Sequence, residues 1–219
     1  MDAIRKLYPL VGVDIALFSV DDERLQVLLV KRVQEPAAKQ WALPGGMLKP
    51  DQDTSLEAAA RRVLAHKVSV ELPLVEEVST FSGPDRDPRG WSVSVLFYAL
   101  LPKDKVDALV RNKVEALEWA DASAPGHRMA FDHSKQLAAA VHKLRAKVKS
   151  GKLPLHLLPE RFTLSQLQRS VEVILGQPLD KSSFRRQLKS SADLVQLDEY
   201  ERGAQRPAQL FKPSEEFSF

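Results

Sequence analysis

The sequence predicts an α+β fold with two domains: a domain built on a mixed β-sheet, followed by a smaller helical domain that ends in a hairpin. Over residues 1–150, apolar runs of strand length alternate with helical periodicity, which indicates a sheet flanked by helices. Over residues 151–219, two short helical stretches precede two strand-length segments. A chain of 219 residues accommodates two domains of ordinary size, and we predict the boundary at residue 150.

The strands of the first domain are predicted from apolar runs bounded by turn residues. The turn at 21–23 separates the first two runs, and the arginine-containing loop 82–90 separates the next two. Gly45 and Gly46 are predicted to lie in a loop that comes close to a bulky neighbour, since glycine carries no Cβ. The predicted strands are 11–18, 25–30, 75–81, 91–101 and 116–119.

Two helices are predicted in the first domain. The first follows Ser55 and buries a stripe of Ala59, Val63 and Leu64. The second spans 133–149, with Asp132 placed to cap it. The buried stripe of this second helix is Leu137, Val141, Leu144 and Val148. The basic residues of this helix are Lys135, Lys143, Arg145, Lys147 and Lys149, and Lys152 follows shortly after its end. A basic stripe is typical of a solvated face or of a surface that attracts phosphate, and the sequence leaves both open.

The second domain begins where Gly151 and Pro154 break the helix. Thr163 and Gln166 form a capping box for the next helix, which Gly176 ends. The buried stripe of that helix is Leu164, Leu167, Val171, Ile174 and Leu175.

A further helix and a hairpin complete the second domain. Asp180 is placed to cap a helix that runs to Lys189, with Phe184 and Leu188 pointing inward. The hairpin strands and their tip are 194–197, 208–211 and 202–206. Helix, turn, helix and hairpin in this order predict a winged helix.

The last helix has the composition of a DNA-recognition helix. In a helix-turn-helix the second helix enters the major groove, where arginine pairs with guanine and glutamine with adenine. We predict that its DNA-binding residues are Lys181, Ser182, Ser183, Arg185, Arg186, Gln187 and Lys189. Arg202 and Arg206 flank the hairpin tip and are predicted to lie near a phosphate or the minor groove. The alternative is a module that docks protein.

The first domain contains a segment that resembles a Nudix box without its acids. The Nudix pattern is G-x5-E-x7-R-E-U-x-E-E-x-G-U, where U is a bulky aliphatic residue. The segment begins at Leu43-Pro44-Gly45-Gly46, and Arg62 corresponds to the arginine of the pattern. The four glutamate positions and the late glycine are then occupied by Thr54, Val63, His66, Lys67 and Ser69. We predict that His66 and Lys67 are exposed helix residues.

The missing carboxylates argue against hydrolysis. Mg²⁺ prefers oxygen ligands and binds through carboxylates and substrate phosphates. Without the ion, nothing neutralises a pyrophosphate under attack or activates the attacking water. The sequence therefore predicts no catalytic residue, no metal site and no cofactor. The alternative is a working ADP-ribose pyrophosphohydrolase whose second domain only dimerises.

Composition excludes several other classes. The chain has no cysteine, so it forms no disulfide and no Cys-based zinc site. No apolar run is long enough to span a membrane, and the first residues lack the features of a secretory signal. We therefore expect a cytoplasmic protein without a membrane partner.

Nearly the whole chain resembles the Nudix-related transcriptional regulators of NAD metabolism. Besides the glycine pair and the degenerate box, the resemblance rests on motifs at 87–93, 130–133, 183–186 and 206–208. It implies a Nudix-like α/β/α sandwich with a mixed sheet, fused to a winged helix. It also implies a homodimeric repressor that binds a palindromic operator and is released by ADP-ribose. Relatives of similar layout respond to sugars, and an RNA- or protein-binding adaptor is a further alternative.

This resemblance directs attention to residues that suit a nucleoside diphosphate. Arg32, Arg86 and Arg89 supply positive charge for the phosphates. Gly45 and Gly46 let backbone N–H groups approach the ligand. The aromatic candidates for stacking on adenine are Phe81, Trp91 and Trp41.

Overall fold

A computed structural model of the chain describes residues 8–21, 23–68, 74–102, 105, 116–189, 191–201 and 207–219. The strands of the first domain are β1 (Leu10–Val20), β2 (Leu25–Lys31), β3 (Trp41–Ala42), β4 (Gly45–Met47), β5 (Val75–Gly83), β6 (Ser92–Leu100) and β7 (Leu117–Asp121). Its helices are α1 (Leu56–Val68) and α2 (His133–Lys149). The second domain contains α3 (Leu164–Leu175), α4 (Lys181–Leu188), β8 (Phe162–Thr163), β9 (Leu194–Glu201) and β10 (Ala208–Pro213).

A mixed sheet forms the centre of the first domain. Its strand order is β3-β2-β1-β6-β5, with β4 also paired to β1 and β7 to β2. β1 and β6 run parallel along nine residue pairs from Leu10↔Ser92 to Phe18↔Leu100, whereas the other described pairs are antiparallel. The mixed sheet predicted from the sequence is confirmed.

The two faces of the sheet carry different helices, because successive side chains of a strand point to opposite faces. Val13 and Ile15 of β1 pack in a cluster with Val63 of α1. Ala16 and Phe18 pack in the cluster that contains the apolar stripe of α2. Helix, sheet and helix therefore form the expected three layers. No helix in the described part of the chain is both long and apolar enough to span a lipid bilayer.

The glycine pair lies in a strand rather than in the predicted loop. Gly45 and Gly46 belong to β4, which pairs with β1 in the register Asp14↔Gly45 and Val13↔Gly46. Three residues are too few to show strand periodicity, so the pairing depends on β1 rather than on local sequence.

The second domain is a winged helix, as predicted. The Thr163 hydroxyl accepts a hydrogen bond from the Gln166 N–H at 3.2 Å, and the Gln166 side chain accepts one from the Thr163 N–H at 2.7 Å. Gly176 ends α3 in the left-handed conformation, with φ of 69°. The Asp180 carboxylate caps α4 by accepting from the Ser183 N–H at 2.8 Å. Strands β8, β10 and β9 form the wing sheet.

Asp132 does not cap α2 with its side chain, contrary to the prediction. Its carboxylate instead accepts two hydrogen bonds from Arg86, at 2.8 and 3.0 Å, and one from the Gln136 side chain at 3.0 Å. An arginine that is distant in sequence therefore displaces the local capping arrangement.

The two domains share one hydrophobic cluster, which includes Leu144 and Val148 of α2 together with Phe162 and Ile174. Arg145 also joins them, donating to the Ile174 carbonyl at 2.8 Å and to the Ser123 hydroxyl at 3.2 Å. Arg145 of the basic stripe is therefore engaged within the molecule. The boundary at residue 150 stays a prediction.

The last residues of the chain also reach the first domain. The Phe219 ring meets Tyr98 of β6 edge-on, with 6.5 Å between ring centroids. The Lys147 ammonium lies 4.7 Å from the centroid of the same Phe219 ring and forms an ion pair with Glu76 of β5. These contacts join β5, β6, α2 and the chain terminus.

Candidate ligand cavity and DNA-binding surface

A cavity of about 660 Å³ opens where β1, β2 and β4 meet the C-terminal end of α1, the start of α2 and the loop before β6. Five residues predicted to bind ligand line it together: Arg32, Gly45, Gly46, Arg86 and Arg89. The sheet register explains this assembly, because the parallel pairing of β1 with β6 brings the arginine loop beside the glycine strand.

The predicted aromatic residues are not brought into the cavity. Phe81 packs against the larger core cluster, Trp91 is half exposed, and Trp41 stacks on His127 with 4.9 Å between centroids. The aromatic side chain that lines the cavity is Phe131, whose ring lies 4.8 Å from the guanidinium carbon of Arg32. Phe131 belongs to the motif at 130–133. The position of this motif at the start of α2 was the sequence feature that could have identified Phe131 as a cavity residue.

Two arginines of the cavity wall are held by carboxylates. Arg86 pairs with Asp132 at 2.8 Å and donates to the Ser92 hydroxyl at 3.2 Å. Arg89 pairs with Asp87 at 2.7 Å. Burial alone would raise the pKa of both carboxyl groups. The hydrogen bonds that they accept and the charges of the nearby arginines together outweigh burial and hold each pKa below its ordinary value.

Arg32 is held differently, by carbonyl groups. Its guanidinium donates two hydrogen bonds to the Pro36 carbonyl, at 2.8 and 3.1 Å. Burial and the nearby charge of Arg89 lower the pKa of Arg32. The nearby carboxylates of Asp87, Asp14 and Glu35 act in the opposite direction without cancelling these effects, and the arginine stays charged.

Lys67 is not the exposed helix residue that the sequence predicts. It is half-buried and lines the cavity, and its Nζ donates to the Gly45 carbonyl at 2.6 Å. Burial, followed by the charge of Arg32, lowers the pKa of the Lys67 ammonium. His66 also lines the cavity but is exposed, in agreement with its prediction.

A buried carboxylate, Asp14 of β1, lies in the cavity wall and was not predicted. Its Oδ2 accepts hydrogen bonds from the Ser94 hydroxyl at 2.5 Å and from the Gln136 amide at 3.0 Å. The same Gln136 nitrogen donates to Asp132, the partner of Arg86. A chain of hydrogen bonds therefore joins the cavity to the first turn of α2.

His133 completes this connection. Its Nδ1 accepts a hydrogen bond from the Leu43 N–H at 2.9 Å, which requires that the proton of the neutral ring sits on Nε2. Nε2 faces the Asp14 Oδ1 at 3.6 Å. Burial lowers the pKa of His133, so the ring is neutral near pH 7.

The arginine of the Nudix-like box keeps a carboxylate partner. Arg62 pairs with Asp53 at 2.6 Å, and Asp53 stands one residue before the position of the first glutamate in the pattern. The hydrogen bond from Arg62 lowers the pKa of Asp53 to about 2. This pair fixes the loop before α1, and Arg62 also donates to the Met47 carbonyl of β4 at 3.1 Å.

We expect Gly45→Ala to destabilise the fold by about 1–3 kcal/mol, the usual cost of overpacking. An added Cβ would lie 2.0 Å from the Asp14 Oδ1 and 2.9 Å from the Val13 carbonyl oxygen. Denaturant unfolding monitored by circular dichroism measures this change in the free energy of unfolding. The comparison is Gly46→Ala, whose Cβ meets the Val63 Cγ2 methyl at 2.9 Å and should cost less. Equal stabilities of the two variants would contradict the packing argument.

The predicted DNA-binding side chains of α4 lie on an exposed surface. Phe184 and Leu188 are buried, as predicted. The exposed predicted residues are Lys181, Ser182, Ser183, Arg185, Arg186, Gln187 and Lys189. Arg202 and Arg206 lie outside the described residues. Contact of any of these residues with DNA stays a prediction.

Each of the two domains matches a known domain family. Residues 9–141 match the Nudix domain, and residues 154–212 match the NrtR DNA-binding winged helix domain.

The chain is also similar to individual proteins and solved structures. The chain is 40% identical over 205 residues to the ADPR responsive transcriptional repressor NtrR of Acinetobacter baylyi, covering 93% of this chain and 82% of the relative. It superimposes on the crystal structure of Shewanella oneidensis NrtR complexed with a 27mer DNA with a TM-score of 0.85 and 34% identity, covering 93% of each chain. The cocrystal structure of the NUDIX domain of the same protein with ADP ribose matches at a TM-score of 0.55 and 34% identity, covering 63% of this chain and 89% of that one.

Proposed function

The chain belongs to the NrtR family of Nudix-related transcriptional regulators, and we propose that it is a homodimeric repressor whose operator binding is released by ADP-ribose. It is a ligand-responsive DNA-binding regulator, as its similarity to the Acinetobacter repressor and the Shewanella structures shows. The observation that carries the proposal is a positively charged cavity whose wall includes the first turn of the helix that leads to the winged helix.

The charge of the cavity supports a nucleoside diphosphate as effector. The lining residues include the cations Lys31, Arg32, Lys67, Arg86 and Arg89 against the carboxylates Asp14 and Asp87. Excess positive charge in a partly buried wall favours a phosphate anion. A volume of about 660 Å³ lies within the range of small-molecule sites.

We further propose that the protein does not hydrolyse its effector. The positions of the pattern's glutamates are occupied by Thr54, Val63, His66 and Lys67. None of these side chains is a carboxylate that coordinates Mg²⁺ or activates water. Val63 is on the buried face of α1 and packs in the core.

Helix α2 is the proposed connection between ligand and DNA. In its first turn, Gln136 donates to Asp14 and His133 accepts from the Leu43 N–H, both in the cavity wall. Its last turns pack in the cluster shared with α3. A helix of 17 residues carries a displacement over about 25 Å. In a cytoplasmic homodimer, a shift of this helix would change the spacing of two recognition helices, which must match half-sites about 34 Å apart per turn of DNA.

The proposal is tested by capturing sheared genomic DNA of the source organism on the immobilised protein and eluting with ADP-ribose. We expect one or a few palindromic sites to be enriched in the sequenced eluate. Sites that are captured but not released would overturn ADP-ribose as effector and keep the regulator. The matched control is the variant Arg185→Ala with Arg186→Ala, which should capture no specific site.

Hydrolysis is tested on the same preparation. Incubation with ADP-ribose and Mg²⁺, followed by chromatography, should yield no AMP above the buffer control. Metal-dependent release of AMP would instead support the pyrophosphohydrolase alternative.

A further inference from the structure

The residues of the cavity do not fit the divalent metal ion that a Nudix box implies. Asp14 is hydrogen-bonded to Ser94 and Gln136, and Asp87 is paired with Arg89. Among the residues that the structure describes, no group of three or more histidine or carboxylate side chains is arranged to hold a metal. The ammonium of Lys67, at a glutamate position of the pattern, would repel a cation.

Lys67 is instead positioned to meet an anion. Its hydrogen bond to the Gly45 carbonyl fixes the ammonium against the glycine strand at the cavity wall. An ammonium has three N–H donors, so this bond leaves two for other acceptors.

Lys67 and Arg32 differ from Arg86 and Arg89 in the groups that their charged ends contact. Arg86 and Arg89 already pair with the carboxylates of Asp132 and Asp87. The bonds described for Lys67 and Arg32 go to neutral carbonyl groups. The charge of Arg32 also acts on Lys67 and, after burial, lowers the pKa of its ammonium. An anion placed between them would relieve this repulsion.

We propose that Lys67 takes the place of the metal ion and binds the diphosphate of the effector directly, together with Arg32. Effector binding then needs no divalent cation. This inference rests on the proposed function, because it assumes that a nucleoside diphosphate enters this cavity.

The first test is calorimetric titration of the full chain with ADP-ribose, in EDTA and in millimolar Mg²⁺. We expect dissociation constants that agree within about twofold, since the charge that neutralises the phosphates belongs to the protein. Binding that is lost in EDTA and restored by Mg²⁺ would overturn the inference while leaving ADP-ribose as effector. No binding by the unmodified chain under either condition would overturn the effector itself, and the inference with it.

The second test is Lys67→Met, which keeps the length of the side chain and removes its charge. We expect the affinity for ADP-ribose to fall about 10- to 100-fold, the usual range for a charge-assisted hydrogen bond. The affinity should also depend less on ionic strength, which a purely structural role of Lys67 would not produce. The matched control is Arg61→Met, which removes a cation from the exposed side of the same helix and should leave the affinity unchanged.

Folding of the variant is checked by binding to the operator. A Lys67→Met protein that binds operator like the unmodified chain but is no longer released by ADP-ribose supports the inference. Unchanged ADP-ribose affinity and salt dependence in this variant would overturn it. If Lys67→Met fails to fold, Lys67→Gln replaces it, with the same expected result.

Discussion

Replacing Arg185 and Arg186 with alanine should abolish binding to the operator and leave the affinity for ADP-ribose intact. Both side chains are exposed on α4, whereas Phe184 and Leu188 hold that helix to the core from its other face. Each arginine that pairs with a base contributes about 1–3 kcal/mol, so losing both should weaken binding by at least about 30-fold. Fluorescence anisotropy with labelled operator measures the change.

The salt dependence of the same measurement distinguishes contacts with phosphates from contacts with bases. Each lost phosphate contact should reduce the slope of log affinity against log salt by about 0.9, whereas a lost base contact should leave the slope unchanged. The control is Arg24→Ala with Arg61→Ala, which removes two exposed cations from the first domain. An equal loss in this control would mean that overall charge, rather than α4, governs DNA binding.

Fixing α2 to the edge of the sheet should prevent ADP-ribose from releasing the DNA. Glu76 of β5 and Lys147 of α2 form an ion pair, so cysteines at these two positions can be joined by a short cleavable cross-linker. The chain contains no other cysteine that would react. Ligands of allosteric proteins typically change the affinity at a second site 5- to 150-fold, and we expect this ratio to fall to about one in the cross-linked protein.

The matched control is the same double variant before linking and after cleavage of the linker. It accounts for the loss of the Glu76 carboxylate, which also accepts a hydrogen bond from the Tyr98 hydroxyl at 3.0 Å. The control should regain its response to ADP-ribose. An unchanged response in the linked protein would exclude movement of α2 against β5 as the coupling route. Operator DNA should weaken ADP-ribose binding by the same factor in any variant that retains the coupling.

Features that depend on nearby residues were predictable from the sequence. The capping box of Thr163 and Gln166 and the cap of Asp180 involve residues three positions apart, and both occur in the structure. Strands β1 and β6 are buried on both faces, so their long apolar runs identify them. The order of the helices and the hairpin was enough to predict the winged helix, whereas the Nudix-like domain was predicted from the resemblance of its box.

Features that depend on distant residues were not predictable in the same way. Asp132 has the position of a helix cap, but Arg86, 46 residues earlier in the chain, binds its carboxylate. The sequence predicts that Lys67 is exposed, but the fold places the Gly45 carbonyl, 22 residues away, against its ammonium. Asp14 lies within an apolar run, and only the pairing of β1 with β4 and β6 shows that its carboxylate lines the cavity.

The space around Gly45 has a consequence for how such sequences are compared. The atoms that forbid a Cβ there belong to Asp14 and Val13, so the packing of β4 on β1 imposes the glycine whether or not a ligand is present. The Pro-Gly-Gly signature of this chain is therefore a mark of its architecture and does not by itself distinguish an enzyme from a regulator. Under our proposal, that distinction lies in the side chains at the positions of Arg32 and Lys67.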